Sequence, residues 1–331
     1  MSMEQKNVKL NNMVGEGQID RMNLDNMEEN TKVFGFQPYN PKTLEEIGVL
    51  QTYLKYKNVL HWGQGQTLAI IDDGCDMTTP EWQVKIDGKD KVVATYDGID
   101  DDEDCSPGPN GHHGTSVGYP SSLRYNGVCG VAYNNFVAMI RGGTTVHLRQ
   151  DETVTLARAL DWVIENYKKY NITTVNFSFL DDVERDCPMD TILDDKFLTL
   201  KNLGIWVSSP CGNNSYLKGI SWPACQPHCF GIGAYYWWDQ QVVLDRYKNT
   251  DIIVAADATS SSNAYIVGSS MILREAIEIN NFNWKKYGDN LPDAMMNIFK
   301  LTGKDMFDEK TGITFKALNL VKAVDFAFEN K

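Results

Sequence analysis

The chain has 331 residues, 42% of them hydrophobic and 23% charged, a globular composition able to bury one large core or two modest ones. Its formal net charge of -13 counts against a nucleic-acid partner, because such binding is driven by Lys and Arg displacing counterions from phosphates. No apolar run reaches the length of a bilayer span, and the opening MSMEQKNVKLNNMVGEGQ lacks the basic-then-apolar pattern of a secretory signal, so the chain reads as cytoplasmic with no membrane partner.

Residues 1 to 33, rich in Asn, Met, Glu and Gln, carry weak apolar periodicity and read as a flexible extension, either a bland tail or a segment that lies across a cleft and inhibits. The folded region is expected over 34 to 331. There, short and nearly continuous apolar runs predict strands: TLAII (67 to 71), KVVATY (91 to 96), FVAMI (136 to 140), TTVNFSF (173 to 179), GIWVSS (204 to 209), CFGIGA (229 to 234) and DIIVAA (251 to 256). Between them, residues 151 to 170 place Leu156, Leu160, Val163 and Tyr167 on one helical face, with acids in the first turn and lysines in the last. Strand, helix, strand in repetition predicts an α/β fold with a mostly parallel central sheet flanked by helices.

Catalytic groups on such sheets collect at the carboxyl ends of strands. Three of those ends carry chemistry. After TLAII comes Asp72-Asp73-Gly74; after an acidic loop comes NGHHGTSVG (110 to 118); after DIIVAA comes ATSSSNAYIVG (258 to 268). A serine hydroxyl is a poor nucleophile unless a base takes its proton, and imidazole, titrating near neutrality, suits that task. The order Asp, His, Ser is that of the subtilisin type of catalytic triad.

At these residues the sequence resembles the subtilisin-like serine proteases, with a three-layer fold. AIIDDGCDMTTPEW is similar to the family's Asp block, HGTSVG to its His block and ATSSSNAYIVG to its Ser block. NGVCGVA (126 to 132), VNFSF (175 to 179), SSPCGNNS (208 to 215), WPACQPHCFGIGA (222 to 234) and ALNLVKAV (317 to 324) resemble intervening family segments in the same order. Asp-Asp-Gly resembles the proprotein-convertase branch. The resemblance implies a peptidase acting on polypeptides through Ser260 as nucleophile, His113 as base, Asp72 as its orienting carboxylate and Asn213 as an oxyanion donor. His112 and Asp73 are then a loop and a turn residue. Peptides would lie extended along Gly142 and Gly143 on one side and Ser178, Phe179 and Leu180 on the other.

Departures from the family are Ala258 for a glycine, Ser261 for a methionine and Ala264 for a proline. No cofactor is needed for the chemistry. The family's usual calcium loop is replaced by the shorter YPSSLRYN, and Glu81 stands at a calcium-ligand aspartate position, so the strong calcium site is expected to be missing. The run DGIDDDEDCSPGP (97 to 109) reads as a solvated loop, with a calcium site or a lure for basic substrates left open. CQPHC (225 to 229) lacks a second Cys/His pair at finger-like spacing, so no metal is expected there. Seven scattered cysteines suit reduced thiols better than a disulfide framework.

Overall fold

The computed structural model describes residues 35–109, 111–147, 153–186 and 188–330. The expected N-terminal extension lies outside these residues. Each predicted strand forms: β1 Thr67–Asp72, β2 Val92–Asp97, β3 Phe136–Arg141, β4 Ile172–Phe177, β5 Trp206–Pro210, β6 Phe230–Tyr235 and, after the short β7 Val242–Val243, β8 Ile252–Ala255. A hairpin of β9 Lys304–Asp308 and β10 Ile313–Ala317 completes the sheet, whose order is β9-β10-β8-β6-β5-β4-β1-β3-β2, with β7 paired to β6. All pairings are parallel except β9 with β10 and β7 with β6.

The central strands β1, β4, β5, β6 and β8 are buried along their whole length because both faces are covered. Successive side chains point to opposite faces, so Leu68 and Ile70 of β1 enter one core while Ala69 and Ile71 enter the other. In β3, Val137 and Met139 join the first core and Ala138 and Ile140 the second. One layer contains α1 Val49–Tyr56, α2 His113–Val117, α3 Tyr119–Ser122, the long α6 Thr259–Ile279, α7 Leu291–Thr302 and α8 Leu320–Glu329. The other contains α4 Thr153–Tyr170, which buries Leu156, Leu160 and Val163 as its spacing predicts, and α5 Asp194–Asn202.

The structural hub is α6, which lies against β4, β5, β6 and β8 and also meets α2, α3 and α8. Its N-terminus is therefore fixed over the carboxyl ends of the central strands. Trp206 at the start of β5 is wholly buried, its ring 4.5 Å from that of Phe230 and 6.0 Å from that of Phe299. Trp206→Ala is expected to cost about 3–5 kcal/mol, as truncation of a buried aromatic does. Urea unfolding monitored by circular dichroism measures it.

Candidate active site

β1 ends at Asp72, whose side chain is buried in a first layer of fixed donors. Its Oδ1 accepts the Asp73 backbone N–H at 2.9 Å, and His113 Nδ1 stands 2.9 Å from Oδ1 and 3.0 Å from Oδ2. The next residue, Asp73, closes the arrangement from the other side. Its Oδ1 accepts the Gly114 N–H at 2.8 Å, and its Oδ2 accepts those of His112 and His113 at 3.2 and 3.3 Å. Asp73 thus caps the helix that begins at His113, a more specific role than the turn residue expected from sequence.

Gly114 explains why the pair can be so close. A Cβ there would collide with the Gly74 carbonyl oxygen and stand 2.9 Å from Asp72 Cβ. Only a residue without a side chain lets α2 approach the end of β1.

Burial pushes the Asp72 carboxyl up to about 6, against the pull of the adjacent imidazole. Burial lowers His113, but the Asp72 carboxylate beside it outweighs that effect and holds the imidazole above its ordinary value. The pair therefore acts as one unit, with Nδ1–H donating to the carboxylate and Nε2 left to exchange a proton. His112, by contrast, is exposed.

Ser260 lies in the first turn of α6, buried to 7% residual exposure, and α2 packs against α6. Ala258 precedes this helix at φ -139 and ψ 147, extended backbone that any residue adopts, so the missing family glycine costs no strain here. Thr259 ties the neighbouring loop to the helix. Its N–H and hydroxyl both donate to Asn213 Oδ1 at 3.0 Å, and its hydroxyl accepts the Gly212 N–H at 3.2 Å. With its carbonyl so held, the exposed Asn213 keeps its amide N–H groups for another acceptor.

Beneath this turn runs a buried polar network that sequence reasoning missed. Asn263 Nδ2 donates to Asn176 Oδ1 at 2.9 Å and to the Ser208 carbonyl at 3.1 Å, while Ser208 Oγ donates to Asn263 Oδ1 at 2.6 Å. Asn176 Nδ2 reaches Ser178 Oγ at 2.8 Å, and Trp206 Nε1 donates to Ser208 Oγ at 2.9 Å. These bonds pin α6 to β4 and β5. The signal available in sequence was only an amide side chain at 263, between the hydroxyl run 259–262 and the apolar residues that follow.

The residues expected to border a peptide do lie together. The ring of Phe179 lies against Gly142 and Gly143; a Cβ on the latter would stand 2.9 Å from Phe179 Cε1. Ser178, Phe179 and Leu180 are buried, and the Leu180 N–H donates to the Val146 carbonyl at 2.9 Å. His147 continues this parallel contact with Leu180, and its Nδ1 lies 2.5 Å from Asp182 Oδ2. At this point the two expected rails are bonded to each other.

Of the acidic run, Asp97 pairs with Arg141 at 2.8 Å, and Asp102 and Asp104 fold back onto nearby backbone N–H groups. His228, in CQPHC, faces Asp194 at 3.7 Å. Among the described residues no group of three His, Cys, Asp or Glu side chains is placed to hold a metal ion, and no helix is long and apolar enough to cross a membrane.

The architecture, with an Asp-His couple at the end of a central strand and a Thr-Ser helix start packed beside it, is the three-layer fold of the subtilisin-like serine proteases, which bears out the resemblance read from the sequence blocks. Among known proteins, the chain is similar to the thermophilic serine proteinase of Bacillus sp. (strain AK1), at 27% identity over 236 residues, 68% of this chain and 54% of that protein. The chain thus spans about half the length of the curated relative it matches. Crystal structures of MycP1 share the fold: the form with its N-terminal propeptide removed has a TM-score of 0.63 at 14% identity, covering 86% of this chain and 96% of that one. MycP1 from Mycobacterium smegmatis gives 0.61 at 15% identity, covering 86% and 84%. No family model matches.

Two outcomes are expected. NMR titration of the His113 ring gives a midpoint above the roughly 6.5 of a free imidazole, and Asp72→Asn brings it down. Gly114→Ala costs about 1–3 kcal/mol through overpacking and lowers the His113 midpoint as the ring is pushed off the carboxylate; thermal melts with the same titration check both.

Proposed function

We propose that the chain is a serine endopeptidase that hydrolyses peptide bonds through an acyl-enzyme on Ser260. The observation that carries this reading is the buried Asp72 carboxylate holding His113 Nδ1 at 2.9 Å, which leaves Nε2 as the acceptor for a proton. In this mechanism Ser260 Oγ attacks the scissile carbonyl while His113 Nε2 takes its proton, and Asp72 stabilises the imidazolium that results. The Ser260 backbone N–H at the start of α6 and the Asn213 side-chain amide would donate to the oxyanion. His113 then returns the proton to the leaving amine, and water enters by the same route in reverse to free the acyl group.

A finer reading is limited processing of a precursor or leader peptide inside the cell. Supporting it, Cys75, Cys105, Cys129, Cys211 and Cys229 are buried free thiols, as suits a reducing compartment. The acidic residues Asp181 and Asp182, just past Leu180, support basic side chains in the substrate, although Asp181 already pairs with Arg185 at 2.6 Å and Asp182 with His147.

A second reading, a non-catalytic protein that binds peptides or regulates another protease, is motivated by the altered Ser block, with Ala258, Ser261 and Ala264 where the family has glycine, methionine and proline. A fluorophosphonate probe separates the two. Rapid labelling at Ser260 is expected of the protease, together with cleavage of a peptide library, and Ser260→Ala lowers kcat by about 10^6, the loss brought by removing one member of such a unit. Because only the neutral imidazole accepts the serine proton, kcat/KM should rise with pH through the raised His113 midpoint. Failure of wild type to label or cleave would leave the binding protein.

A further inference from the structure

Asp245 is a carboxylate with no contact to Asp72, His113 or Ser260 in the mechanism above, yet it is fully buried, at 0% exposure. Among the described residues no cationic side chain pairs with it; its neighbour Arg246 is committed to Asp308 at 2.8 Å. Burying an unpaired carboxylate is expensive unless hydrogen bonds replace its water. Here the replacement comes mainly from the loop that carries Asn213.

The Tyr216 N–H donates to Asp245 Oδ1 at 2.9 Å, and the nearby backbone N–H groups of Asn214 and Ser215 favour the charged carboxylate. Ser221 Oγ reaches Oδ2 at 3.5 Å. The backbones interlock as well: Asp245 N–H donates to the Gly212 carbonyl and Arg246 N–H to that of Tyr216, both at 3.1 Å. The chain that turns the Tyr216 amide onto this anion uses left-handed backbone at Gly212, φ 117, and Ser215, φ 63. A Cβ on Gly212 would collide with Asp245 Oδ2. The outer side of the loop is exposed at Asn213, Asn214 and Ser215, so its shape is imposed from within, around the carboxylate.

We propose that Asp245 is a positioning residue, resting on the reading of Asn213 as an oxyanion donor: its carboxylate folds residues 212–216 around itself and so fixes where the Asn213 amide points. Thr259 sets one end of that amide, and Asp245 sets the backbone that carries it. A donor fixed before reaction stabilises charge that appears only in the transition state, so the effect falls on kcat and not on substrate binding.

The test combines hydrogen exchange with a double-mutant cycle. In Asp245→Asn, which removes the charge and puts an NH2 donor in place of one acceptor oxygen, exchange of the 213–216 amides is expected to speed up while the central strands stay protected; unchanged protection of the loop overturns the proposal whether or not the protein is a protease. With wild type shown to cleave a peptide substrate, Asp245→Asn should lower kcat by about 10-fold to 100-fold with KM unchanged, short of the roughly 10^2 to 10^3 lost with an oxyanion donor itself. In an Asn213→Ala background the same change should cost less than about threefold, as coupled sites require. Equal losses in both backgrounds, or a loss confined to KM, would refute a positioning role. If Asp245→Asn does not fold, Asp245→Ser, which keeps an acceptor oxygen and makes room for water, is read in the same way. Inactivity of wild type itself would count against the protease reading and leave the exchange result to judge the loop.

Discussion

Everything in the candidate site depends on one contact, the Asp72 carboxylate against His113 Nδ1. A carboxylate at the end of a strand buried on both faces has lost its water, and it is tolerable only where donors are already in place. The imidazole and the Asp73 N–H are those donors. Their approach requires Gly114 between strand and helix, and it requires Asp73 to gather the first N–H groups of that helix. Two adjacent acids therefore divide the work. The first holds the ring, and the second holds the backbone that presents it.

Ser260 and Asn213 are held by a different device. Among the described residues no ion pair fixes them; neutral side chains do, through Thr259 on the loop and Asn263, Asn176 and Ser208 under the helix. Each of these polar groups is buried and satisfied, which makes such a network rigid and costly to breach. The network reaches back to Trp206 through Ser208, so the aromatic packing of the core and the first turn of α6 are mechanically connected. Asp245 adds a buried anion to this otherwise neutral frame, and the loop amides absorb its charge.

The cleft side is arranged less openly than an extended peptide requires. The Phe179 ring occupies the space above Gly142 and Gly143, and Val146 takes the Leu180 amide. A peptide adding itself along that edge would have to exchange with Val146 for the same donor, since a backbone N–H makes one strong hydrogen bond.

Much of this was legible in the sequence. Strand positions followed from short apolar runs, because a sheet covered on both sides leaves no polar alternation to confuse the reading, and α4 followed from its 3.6-residue period. Asp72, His113 and Ser260 stood out because glycine turns and a small-residue helix start mark the carboxyl ends of strands. The structure alone decided what was non-local: that Asp73 caps the His113 helix, that Asn263 joins two strands, that Val146 bonds Leu180 and that Asp245 folds the Asn213 loop. Each of these is a hydrogen bond between residues from 29 to 87 positions apart. Periodicity and turn chemistry act over a few residues, so they place a side chain on an element; which distant donor a buried acceptor meets depends on how the elements pack, and that is set only when the whole sheet and its helices close around it.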